Sequence, residues 1–313
     1  LFAYFIVAST VLSVRAMWRT YLNFHVGVGV AMAMYGVLQW AGMLTVVQAG
    51  IRVNGTLGNA AYLGTYALFN IFLALFLMVH TSVTETVARI RMVLYGAVAL
   101  LQTFVLYHTA TRGAMLGLLV GVGITMILIA LFEHERLVMR KVAIGALLAI
   151  LVLVGGFIAF RNTSFVRESP VLARFASISL TEKTTKSRFM VWNMAYQGFK
   201  EHPIRGWGME NFNYVFNEYY NPNMYDQEQW FDRAHNVFFD WLIAGGIPAL
   251  LAYLSLFGCA LYCIWRRARA LSVLEKSVLT GLLAGYFFQN LFVFDNITSL
   301  IYFFTILAFV ESM

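Results

Sequence analysis

The sequence predicts an all-α polytopic membrane protein, and three observations carry that reading. Of its 313 residues 60% are hydrophobic and only 12% are charged, against about a quarter charged in an ordinary soluble domain. The apolar residues also come in runs of roughly 17 to 29 with almost no charge, the length a helix needs to cross about 30 Å of hydrocarbon. Inside lipid the backbone must satisfy its own hydrogen bonds, so the spans are helices.

About nine spans are expected, near 1–14, 21–48, 60–80, 92–108, 113–132, 142–160, 236–264, 277–294 and 297–311. The first is short, begins at Leu1 and has no basic segment before it, so it reads as a helix cut at its start rather than a signal peptide. Spans two to six carry no Asp, Glu, Lys or Arg at mid-depth, which counts against an ion-driven pump. Gly113, Gly117 and Gly121 recur every fourth residue, a stripe that lets another helix approach closely. His134 between Glu133 and Glu135 reads as a solvated charged turn. Cys259 and Cys263 lie one turn apart on one helix face and suggest neither a disulfide nor a metal site.

Cytoplasmic loops hold an excess of lysine and arginine. One set of loops carries Arg15, Arg19, Arg89, Arg91, Arg136, Arg140, Lys141, Arg266, Arg267, Arg269 and Lys276, the short loops of the other only Arg52 and Arg112, a ratio of eleven to two. The first set is therefore expected in the cytoplasm, and the net charge of +7 is mostly topology, with no nucleic-acid partner implied. The chain divides as 1–160, six spans; 161–234, an extracytoplasmic loop; and 235–313, three spans.

That loop is a different object. Its charges alternate with aromatics such as Phe189, Trp192, Tyr196, Phe199, Trp207, Phe212, Phe216 and Trp230, too many for disorder. It is expected to fold as a cap. Residues 187–200 read as an amphipathic helix, N-capped by Ser187, with Arg188, Trp192, Ala195 and Phe199 on one face. His202–Pro203 stops it, Gly206 and Gly208 make a tight turn, and a second short helix is expected near 209–219.

Three basic groups fall at the outer interface: Arg112 in TATRG, Arg188 opening the cap helix, and His235 in RAHN. A guanidinium suits phosphate, a helix N-terminus adds partial positive charge at Arg188, and a histidine near neutral pH serves as acid or base. Each has a plainer reading: a headgroup anchor for Arg112, pairing with Glu182 or Asp232 for Arg188, a satisfied structural histidine for His235. The motifs of metal-dependent sugar transfer, zinc proteolysis and serine hydrolysis are missing, so any chemistry is expected to be of acid/base style, without metal or cofactor.

The run SRFMVWNMAYQGFKEHPIRGWGMENF followed by RAHNVFFDWLIAGGIPALLAYL resembles the core signature of the O-antigen ligase and O-antigen polymerase superfamily. LGNAAYLGTY at 57–66 and TATRGAMLG at 109–117 extend the resemblance, in the family's order. It implies a fold of about twelve helices, of which this chain would be a truncated form, in the bacterial cytoplasmic (inner) membrane with the site outward. It implies a glycosyltransferase that moves a glycan from undecaprenyl diphosphate to a hydroxyl of lipid A core, a growing glycan or a protein. On that reading His235, Arg188 and Arg112 are catalytic, while Arg52, Asn59, Glu210 and Asn236 bind substrate; metal and cofactor are none. A lipid-linked oligosaccharide transporter is the competing class, disfavoured because neither internal repeats nor discontinuous helices are evident. A non-catalytic envelope scaffold is a third.

Overall fold

A computed structural model describes residues 1–12, 14–46, 52–81, 86–179, 182–225 and 230–313. The far end of the second expected span, 47–48, lies outside the described residues. Helix is the only regular structure among them: α1 Phe2–Val11, α2 Arg15–Trp40, α3 Ala60–His80, α4 Thr86–His108, α5 Arg112–Phe132, α6 Leu137–Phe160, α7 Ser164–Glu168, α8 Leu172–Ala176, α9 Lys183–Glu201, α10 Phe212–Glu218, α11 Val237–Tyr262, α12 Val273–Gln289 and α13 Ile297–Glu311. Short 3-10 turns cover Gly55–Leu57 and Pro222–Met224, and a π-turn covers Cys263–Arg267. The chain forms two compact units, Leu1–Ala173 with Ala260–Gln289 and Asn296–Met313, and Arg174–Cys259 with Asn290–Asp295.

Among the described residues six helices are long and apolar enough to cross a membrane: α2 to α6, and α11 with the π-turn that continues it. The first, eighth and ninth expected spans are helices of 10, 17 and 15 residues. The first unit is built around α3, which is buried along most of its length and packs on α2, α4 and α12. α6 is the opposite case. It buries only Ala143 and exposes Leu151, Val152 and Leu153 by about 70% each, a surface that suits lipid and not water.

The glycine stripe does what its spacing predicts. A Cβ on Gly117 would stand 2.7 Å from the Gly285 carbonyl, and one on Gly121 2.6 Å from that of Gly281, so α5 and α12 meet backbone to backbone.

Several local expectations are corrected. The eighth span does not run to 294: α12 ends at Gln289, and Asn290–Asp295 is a loop of the second unit. There the Asn290 carbonyl accepts the Val237 N–H at 2.9 Å and its side chain donates to the Tyr253 hydroxyl at 2.8 Å, contacts an apolar pattern does not reveal. The seventh span is discontinuous, because Gly245 and Gly246 leave helical geometry inside α11; the expectation of unbroken helices is thus corrected, and it no longer counts against a transporter. Glu133 is not solvated; it is 5% exposed and its Oε1 accepts from the N–H groups of Glu135 and Arg136, both at 3.0 Å, opening α6.

The second unit has its own core, Val191, Met194 and Ala195 of α9 against Phe212, Val215 and Phe216 of α10, closed by Met224, Phe231, Ala234 and Ile243. α9 begins at Lys183, four residues before the expected start, with Glu182 before it. Ser187 is thus an interior residue whose hydroxyl donates to the Thr184 carbonyl, not an N-cap. The buried face is Ser187, Val191, Met194, Ala195 and Gly198, turned about one residue from the expected one, which leaves Trp192 and Phe199 half-buried at its edge.

Candidate functional site

In the second unit the broken helix and the HPIRGWG segment hold each other. The Ile247 N–H donates to the Pro203 carbonyl at 2.8 Å, and the Trp207 N–H to the Ile243 carbonyl at 2.6 Å. Two of the backbone groups released by the break, the Ile247 N–H and the Ile243 carbonyl, are thereby satisfied. Gly206, at φ +65, lies so close that a Cβ would stand 2.5 Å from the Gly245 nitrogen, so only glycine fits. Pro248 follows the break and sits in the first turn of the resumed helix, where a missing N–H does no harm.

The turn before α11 carries His235. Its φ is +51, a left-handed conformation that costs a non-glycine residue about 1–2 kcal/mol. Ala234, fully buried, is held at both backbone groups: its N–H donates to Asp240 Oδ1 at 2.8 Å, and its carbonyl accepts from the Trp192 indole at 3.0 Å. The imidazole stands against Phe231 and Phe294, with ring centroids 5.4 and 5.2 Å away. Burial, and next the Arg188 guanidinium, push its pKa down from 6.5 to about 4, against an upward pull from Asp232. The ring is therefore neutral at physiological pH, beside a permanent positive charge.

Arg188 sits in the second turn of α9 rather than at its N-terminus. The expected help from the helix end is corrected: the macrodipole field is concentrated in the first turn. What Arg188 brings is its own fork, half-buried, close enough to His235 to act on its charge.

The remaining expected residues of this unit have local partners. Glu210, also left-handed at φ +61, takes a two-pronged hydrogen bond from Arg233 at 2.5 and 2.6 Å, and the guanidinium of Arg233 lies 5.9 Å over the Phe294 ring. Asn236 caps α11, its Oδ1 accepting from Phe238 N–H at 2.9 Å and Phe239 N–H at 3.3 Å.

In the first unit, Arg112 is the first residue of α5. The turn before it is pinned by Arg52, whose Nε–H donates to the Thr109 carbonyl at 2.9 Å and whose Nη2–H donates to Thr111 Oγ1 at 3.1 Å. The Thr111 hydroxyl donates in turn to the Ala60 carbonyl at 3.1 Å. Asn59 caps α3 through the Ala61 N–H at 2.8 Å, and Ala110 carries the turn's left-handed φ of +48. The structure thus brings Arg188 and His235 together in one unit, and Arg52 and Asn59 around the Arg112 turn in the other.

Sequence reasoning missed Asp240, Arg233, Phe294 and the break in α11. Only the break left a local signal, the Gly-Gly-Ile-Pro run at 245–248; the others are defined by what they touch. Among the described residues no group of three or more His, Cys, Asp or Glu is placed to hold a metal ion. Compared with known families, residues 97–254 match the O-antigen ligase family, a stretch that contains Arg112, Arg188, Glu210, His235 and Asn236 but neither Arg52 nor Asn59. No curated protein matches the chain.

Proposed function

Since the chain belongs to the O-antigen ligase family, a superfamily of glycosyltransferase type, we propose that it transfers a glycan from undecaprenyl diphosphate to an acceptor hydroxyl, of lipid A core, a growing glycan or a protein, on the outer face of the bacterial cytoplasmic membrane. The observation that carries this reading is the left-handed turn that sets His235 against Phe231 and Phe294, near enough to the half-buried Arg188 guanidinium for that charge to lower its pKa.

In the proposed step the acceptor oxygen attacks the anomeric carbon from the face opposite the diphosphate. The new C–O bond forms as the bond to the diphosphate oxygen breaks, the anomeric centre inverts, and the free imidazole nitrogen of His235 takes the hydroxyl proton. The leaving group keeps the bonding pair, and its added charge is stabilised by arginine. Arg188 is assigned to that task, and Arg112 is proposed as a phosphate-binding residue of its own unit. A neutral imidazole is ready to receive a proton, and a diphosphate bound to Arg188 offsets the positive charge that lowers the histidine's basicity. The base therefore strengthens when the donor arrives. Arg52, Asn59 and Asn236 act by holding the segments that carry these groups, and Glu210 acts through Arg233.

The test is transfer by purified protein in detergent from undecaprenyl-diphosphate glycan to lipid A core, with the anomeric configuration read by NMR and donor binding titrated separately. Wild type is expected to form an inverted linkage. His235→Ala is expected to bind donor normally and turn over at least about a hundredfold more slowly. A His235→Ala variant with wild-type turnover, or a retained configuration, removes the mechanism; transfer only to a growing glycan or to protein moves the acceptor and leaves the site in place.

A further inference from the structure

A residue in the left-handed region persists only where its surroundings over-determine it. At His235 the determinants are identifiable. Ala234 is fully buried, so neither of its backbone groups can turn to water, and each has a side-chain partner from a different helix: Asp240 in the first turn of α11 for the N–H, and Trp192 of α9 for the carbonyl. That carbonyl belongs to the peptide group linking Ala234 to His235, so the indole fixes the plane from which the histidine departs. Asp240 Oδ2 is buried and has no hydrogen-bond partner among the described residues. A carboxyl kept there despite one unsatisfied oxygen needs a reason, and its bond to the Ala234 N–H supplies one. We infer that Asp240 and Trp192 are positioning residues for His235, clamping Ala234 from both sides so that the imidazole is presented at the angle the transfer step needs. This rests on the role proposed for His235.

The clamp acts on turnover and not on donor affinity, because misplacing a reacting group by about 1 Å costs on the order of a hundredfold in rate while leaving separate binding groups intact. Asp240→Ala removes the acceptor and is expected to lower kcat by roughly thirtyfold, with donor affinity within about twofold of wild type. Asp240→Asn keeps an acceptor oxygen for the Ala234 N–H and is expected to restore kcat to within about threefold. Trp192→Phe keeps most of the ring and deletes the donor, for a loss of about fivefold. In a His235→Ala background Asp240→Ala is expected to have no further effect, since residues acting as one unit are not additive.

Purified variants are compared for kcat, donor affinity and thermal stability. Equal losses in Asp240→Ala and Asp240→Asn, or a full additional loss on top of His235→Ala, overturn the clamp. If Asp240→Ala does not fold, Trp192→Phe at wild-type thermal stability decides, and unchanged kcat there overturns it. Impaired His235→Ala with unimpaired Asp240→Ala sinks the clamp alone, whereas wild-type turnover in His235→Ala sinks both it and the proposed function.

Discussion

Two turns of this molecule solve one problem differently. The turn at 109–112 and the turn at 233–236 each end just before a long apolar helix, and each contains a non-glycine residue with positive φ, Ala110 at +48 and His235 at +51. In the first, the left-handed residue is a small linker, and the pin is an arginine, Arg52, reaching over to hold the turn. In the second, the left-handed residue is the functional candidate itself, and the pins are a carboxyl and an indole acting on its neighbour. Strain beside a site can be relieved without touching the chemistry; strain in a reacting residue cannot. On the role proposed for His235, the second turn carries the tighter coupling between backbone and function.

Glycine substitution breaks the comparison most sharply. Glycine adopts positive φ freely, so Ala110→Gly is expected to keep full turnover and gain up to about 1 kcal/mol in thermal or denaturant unfolding. His235→Gly relieves the same backbone and is expected to lose turnover at least about a hundredfold. Equal activities for the two variants would erase the distinction. Next come the arginines. Arg188→Lys and Arg112→Lys keep the charge but lose the planar fork, and each is expected to reduce transfer at least about tenfold. A headgroup anchor at 112 tolerates lysine, so wild-type transfer by Arg112→Lys would leave that turn purely structural.

Third is pH. The folded-state pKa of His235 lies at about 4, below its ordinary 6.5, so the acid limb of kcat/KM is expected well below pH 6. Arg188→Gln removes a charge that lowers this pKa, and the limb of its residual activity is expected to move to higher pH. A wild-type limb at 6.5 or above contradicts the assignment. The stability consequence has a definite sign: the unfolded chain takes up this proton first, so the contribution of His235 is full above pH 6.5 and is lost as pH falls toward 4. His235→Gln is therefore expected to flatten that part of the stability profile, measured by unfolding across the window.

The smallest contrast lies between the pins of the two segments. Arg52→Ala leaves the buried Thr109 and Thr111 without a charged donor, and a loss of about 1.5–3 kcal/mol with a severalfold drop in transfer is expected. Glu210→Ala breaks an ion pair whose carboxylate is 65% exposed, which is expected to change stability by less than about 1 kcal/mol and transfer by less than about twofold. A larger effect of Glu210→Ala than of Arg52→Ala would assign Glu210 to substrate.

Much of this was legible along the chain because membrane helices declare themselves through composition. The runs that became α3, α5 and α6 needed only apolar length, and the Gly117–Gly121 stripe needed only a spacing of four. The start of α9 was misplaced by four residues because Lys183, Thr184 and Lys186 look like loop, while a helix tolerates them on its solvent face. The span drawn to 294 failed for the opposite reason. Leu291, Phe292 and Val293 look like membrane, but Asn290 and Asp295 at either side hydrogen-bond into the second unit instead. Of the candidate site, the sequence singled out Arg188 and His235 through residue chemistry and motif, and it was silent on Asp240, a lone acidic residue in the first turn of α11.

By itself, then, the sequence determined a membrane protein of long helices, its glycine contact stripe, a folded polar segment between spans, and the arginines and histidine that form the candidate site. Each of these depends on composition or on spacings within one helix, where periodicity is enough. Only the tertiary structure decided that α11 breaks at Gly245 and Gly246 around the 203–207 segment, that His235 is neutral beside Arg188, and that Asp240 and Trp192 grip Ala234. Those facts depend on which groups far apart in the chain, 42 residues in the case of Trp192 and Ala234, share a few ångströms. Local pattern carries no information about such distances, and burial and charge, which set the histidine's state, exist only once the chain has closed.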